Sequence, residues 1–69
     1  MKAQIVIANG QEISATLPCS IEAFLISRKL LPRSVVVEHN GQAVAPSEFA
    51  NRMLTAGDLL EIINIVAGG

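Results

Sequence analysis

Hydrophobic and polar positions along this chain switch period between segments, and each switch predicts an element. In "AQIVIANGQEISATL", Ala3, Ile5 and Ile7 alternate with Gln4, Val6 and Ala8, the two-residue period of a strand. Asn9-Gly10 is the pair that a tight type I′ turn requires, and Glu12 to Thr16 can return as the second strand of a hairpin. The period then lengthens in "LPCSIEAFLISRKLLPRS". Ile21, Phe24 and Leu25 fall on one helical face, Ser20 is positioned as an N-cap, and Glu22 sits where the macrodipole favours a carboxylate. Arg28 and Lys29 suit the last turn, and Pro32 stops the helix. "SVVVEHNGQAV" reads as a second hairpin around Asn40-Gly41, Pro46 to about Arg52 as a short turn or helical piece, and "TAGD" is a turn. Leu59 to Val66 is the longest β-type run.

The resulting order, β-β-α-β-β-β, predicts an α+β fold in which one main helix packs on one face of a single mixed sheet. The long crossover lets the last strand lie parallel to the first in the middle of that sheet. Alternation assigns Ile5, Ile7, Val35, Val37, Leu60 and Ile62 to the core, together with Ile21, Phe24 and Leu25. Residues 1–66 are expected to form the domain, and 67–69 a flexible tail.

One helix covers one sheet face. The same parity leaves Val6, Val36, Ile63 and Ile65 pointing away from the helix, where a contiguous apolar patch marks a partner-binding surface. Richness of central strands in β-branched residues is the plainer alternative.

Composition narrows the function classes. Hydrophobic residues make up 51% of the 69 positions and charged residues 16%, proportions of a folded chain rather than a disordered one. A net charge of −1, with no basic run and no Tyr or Trp, argues against nucleic-acid binding. No apolar run approaches the roughly 20 residues of a membrane span. The N-terminus has no signal-peptide pattern, and the single cysteine cannot form an internal disulfide, so a cytoplasmic protein is expected.

Conventional reactive chemistry is sparse. Cys19 precedes the helix but has no histidine nearby in sequence, so an inert, partly buried thiol is expected. His39, beside a turn, reads as solvated, and no Cys/His grouping has metal-ligand spacing. The six carboxylates are dispersed, with Asp58 placed to close its own turn, so no catalytic residue and no bound cofactor are expected. What remains is the end of the sequence. Ala67, Gly68 and Gly69 carry almost no side chain, and three such residues reach at most about 10 Å, enough to carry an α-carboxylate into a narrow cleft.

With those residues in view, "VVVEHNGQAVAPSEF", "LTAGDLLEII" and the "AGG" end resemble the ThiS family, the sulfur carriers of thiamine biosynthesis, which have the ubiquitin-like β-grasp fold. The resemblance implies that an adenylyltransferase related to the ubiquitin-activating enzymes uses ATP on the carboxylate of Gly69. Sulfur from a cysteine desulfurase or rhodanese-type donor would then give a thiocarboxylate, delivered to thiazole synthase. The chain would thus be a co-substrate rather than an enzyme, with Gly69 the modified residue and Ile63 and Ile65 in the docking region. The segment Val44 to Phe49 departs from the family pattern: the usual arginine after its proline is absent, and Phe49 stands where Trp is common. Molybdopterin synthesis, tRNA thiolation, cysteine synthesis, protein modification in the ubiquitin style and a simple β-grasp binding module are the alternatives.

Overall fold

The computed structural model of the chain describes residues 4–65. Among these residues seven strands and one α-helix follow one another: β1 (Ile5–Ala8), β2 (Gln11–Ser14), β3 (Cys19–Ser20), α1 (Ile21–Ser27), β4 (Val35–His39), β5 (Gln42–Val44), β6 (Met53–Leu54) and β7 (Leu59–Asn64). Short 3-10 turns occupy Pro32–Ser34 and Pro46–Glu48. Five strands form the main sheet in the order β2-β1-β7-β4-β5, and β3 pairs with β6 in a small second sheet. β7 runs parallel to β1 and antiparallel to β4. This is the mixed, helix-backed sheet that the alternation predicts. The β3–β6 pair is additional, and at two residues each its strands are too short to show a period.

Both Asn-Gly turns have the expected type I′ geometry. Asn9 and Gly10 have φ of 52° and 81°, and Asn40 and Gly41 have 51° and 85°. Positive φ at both centres matches the turn twist to that of the flanking strands, which explains the choice of Asn followed by Gly.

Helix α1 begins as expected and ends early. Ser20 caps it, its Oγ accepting the Ala23 N–H at 2.9 Å, with Glu22 in the first turn. The last helical residue is Ser27, so Arg28 and Lys29 lie beyond the final turn rather than in it. Lys29 is left-handed (φ 62°). The Leu30 N–H bonds to the Leu25 carbonyl and the Lys29 N–H to the Ile26 carbonyl, each at 2.9 Å. That pair of bonds is a Schellman closure, which ends a helix before any proline is needed.

Ile21, Phe24 and Leu25 from α1 meet Val35, Val37 and Leu60 from the sheet in a closed core, with Phe49 and Leu54 completing it. Ile62 is only half-buried at its margin. On β1 the parity is the reverse of the sequence expectation. Val6 has 0% exposure and Ala8 is buried, while Ile5 and Ile7 are half-buried on the opposite face. Register is the cause. Ala8 pairs with the core residue Leu60 and Ile7 with outward-facing Leu59, and a one-residue choice of phase flips every side chain of the strand. Three consecutive β-branched residues give the sequence no means of selecting that phase.

Candidate functional site

The sheet face away from α1 is uncovered among the described residues, and β7 is its central strand. Val36 and Ile63 lie directly opposite each other across β4 and β7, exposed to 47% and 60%. Ile65, two residues further along, is 54% exposed, and its N–H bonds to the Ser34 carbonyl at 2.8 Å, which holds the chain beside the start of β4 past the end of the strand. Leu59 adds another exposed apolar side chain on the same side of β7. Three of the four residues expected on a partner surface therefore share one face. Val6 does not: it is sealed against the helix and cannot meet a partner. Ala67, Gly68 and Gly69 lie outside the described residues, beyond the end of β7.

Cys19 is half-buried at the start of α1, in the strand that pairs with Leu54. Burial raises its thiol pKa, which lowers the thiolate fraction on which sulfur nucleophilicity depends. Among the described residues, no three of the His, Cys, Asp and Glu side chains converge as metal ligands.

His39 is the main departure from the sequence reading: it is 7% exposed rather than solvated. Its Nδ1 accepts from Arg52 Nε at 3.1 Å, and its Nε2 lies 2.8 Å from Asp58 Oδ2. The guanidinium can only donate, so the ring must accept at Nδ1 and carry its proton at Nε2, from which it donates to the carboxylate. Arg52 Nη2 donates to Gln42 Oε1 at 2.7 Å, and the Leu59 N–H donates to Asn40 Oδ1 at 2.8 Å. Asp58 closes its own turn as expected, accepting the Thr55 N–H at 2.9 Å. Burial alone would raise the Asp58 pKa. The Thr55, His39 and Asn40 hydrogen bonds outweigh it and hold the carboxyl below its ordinary value. The network ties the β4–β5 hairpin to the turn that launches β7. A sequence signal for it existed: His39 follows Val35 and Val37 at two-residue spacing and so falls on the core side of the strand.

The sequence pattern of the ThiS family matches residues 3–69. A curated relative, the thiazole synthase of Paramagnetospirillum magneticum (strain ATCC 700264 / AMB-1), is 33% identical over 63 residues, covering 91% of this chain and 19% of the relative. The chain thus spans about a fifth of the length of that relative. Among solved structures, the thiamine biosynthesis protein (ThiS) of Geobacter metallireducens is similar with a TM-score of 0.81 at 22% identity, covering 94% of this chain and 99% of that one. At that identity the likeness speaks for the fold, the ubiquitin-like β-grasp, and the family pattern covers nearly every residue of the sequence. The chain belongs to the ThiS family.

Proposed function

We propose that this chain is a sulfur carrier of thiamine biosynthesis whose reactive group is the carboxyl of Gly69, with residues 1–66 as the folded body and 67–69 as the arm. The carboxylate oxygen attacks the α-phosphorus of ATP on an adenylyltransferase, releasing pyrophosphate and forming an acyl-adenylate. The terminal sulfur of a persulfide on a cysteine desulfurase or rhodanese-type donor then attacks the acyl carbon and AMP leaves. A thiol attacks the donor-side sulfur of the resulting acyl disulfide, so that the thiocarboxylate departs and the donor is left as a disulfide. Thiazole synthase consumes that sulfur. The chain contributes the acyl group, a slender arm and a docking face; ATP belongs to the partner enzyme, and the setting is the cytoplasm.

The observation that carries this reading is the family match, which runs through Gly69. The position of the open face supports it, since Val36, Ile63 and Ile65 cluster at the end of β7 from which the arm departs. Similarity to a segment of a polypeptide named thiazole synthase supports that enzyme as the sulfur acceptor. Glycine at the last two positions suits a carboxylate that must enter a confined site, because no Cβ obstructs the approach.

Intact-mass spectrometry tests the reading on the chain ending at Gly69, incubated with its adenylyltransferase, ATP, a sulfur donor and a thiol reductant. The expected product gains the mass difference between sulfur and oxygen, and deletion of Gly69 abolishes the gain while the fold is kept. An unmodified terminus under these conditions overturns the proposal, and a lysine-linked adduct replaces it with a protein-modifier role.

A further inference from the structure

The open face is not uniformly apolar. Glu38 and Glu61 lie directly opposite each other across β4 and β7, two residues along each strand from the Val36–Ile63 pair and so on the same face, and Glu12 is paired with Ile7 at the β2 edge. Residues so opposed have Cβ atoms about 4.5–5.5 Å apart, and like charges in that position destabilise a sheet. The described strands of the main sheet carry no lysine or arginine, and neither Glu38 nor Glu61 meets a basic partner among the described residues. The face therefore has three exposed carboxylates, an apolar pair beside two of them, and no basic side chain on its described strands to neutralise the charge.

We propose that this face docks a protein surface that is apolar around one basic side chain, with an arginine or lysine of the partner bridging Glu38 and Glu61 while Val36 and Ile63 pack against its apolar surround. A guanidinium suits the position, since its planar fork can donate to two carboxylates at once. Charge complementarity selects this occupant over a second copy of the chain. A two-fold contact through the same face would set the carboxylates against their own counterparts. The choice of thiazole synthase as the partner rests on the sulfur-carrier reading above; the requirement for an apolar, basic surface does not.

The test measures binding of the full chain to thiazole synthase of the same organism by titration calorimetry at low and high salt. Wild type is expected to bind more weakly as salt rises, because exposed ion pairs are screened. The double variant Glu38→Gln/Glu61→Gln should lose roughly tenfold in affinity and most of the salt dependence, and Glu61→Lys should lose more. Glu22→Gln, on the exposed side of α1, should bind as wild type does. Thermal melting of the double variant should be unchanged or slightly raised, since a like-charge contact is removed, which separates docking from a folding defect. Absence of binding by wild type, or wild-type affinity and salt response in the double variant, overturns the proposal. Thiocarboxylate formation at Gly69 is scored separately. If it occurs while the carboxylates prove irrelevant to binding, only the docking inference fails. If carboxylate-dependent docking is seen without thiocarboxylate, only the sulfur chemistry fails.

Discussion

Asp58 shows how one side chain can hold two distant segments together. It accepts from the Thr55 backbone inside its own turn and from His39 and Asn40 on the far hairpin. Its pKa is lowered on folding, so its contribution to stability is fully present above the ordinary carboxylate range and is lost as pH falls through the depressed folded value. Chemical denaturation is therefore expected to show stability dropping below about pH 4. Asp58→Asn should cost about 1–3 kcal/mol at neutral pH, because it removes a charged acceptor from the part-buried His39 contact, and should flatten the acid slope. A variant that keeps the wild-type slope would place the acid sensitivity elsewhere. The sequence identified the turn role of Asp58, whose partner lies three residues away. It did not reveal the His39 contact, which exists only because β4 and β7 are neighbours in the sheet.

Among the elements, α1 is short and well capped, yet its last bonds are made by a residue poorly suited to its place. Lys29 holds a left-handed conformation at the position where glycine is usual, at a cost of about 1 kcal/mol. Lys29→Gly is expected to raise stability by about 0.5–1 kcal/mol, even after allowing for the freedom glycine adds to the unfolded chain, and to lift Tm by a few degrees. A fall in Tm would show that the Lys29 side chain supplies more than its backbone costs. Hairpins and the helix start were legible because their signals are local: Asn-Gly pairs fix turn chirality, and Ser20 caps a backbone N–H three residues on. The helix end was less so. Arg28 and Lys29 satisfy a charge preference equally well one turn earlier, and only backbone geometry separates the two readings.

For the whole molecule, the sheet has a sealed side and an open side, and the same residue type has opposite value on each. Ile63→Glu lies on the open side and should change stability by about 1 kcal/mol or less while weakening partner binding. Val6→Glu would bury a carboxylate in a closed core and should cost several kcal/mol, enough to leave a chain of this size largely unfolded. Paired urea melts and binding titrations check both. A large stability loss in the Ile63 variant would contradict the openness of the face.

By itself the sequence determined the hairpins, the helix, the order of the main strands and the orientation of β4 and β7, where polar residues such as Glu38 and Glu61 break the apolar run and set its phase. The glycines at 68 and 69 were equally visible, because their significance lies in what they lack. Tertiary structure alone decided the phase of β1, where Ile5, Val6 and Ile7 are interchangeable in pattern and pairing with β7 chooses between them. It also decided the burial of His39 and the opposition of Glu38 to Glu61. Each of these depends on strand register, which joins residues far apart in the chain and which local periodicity does not encode.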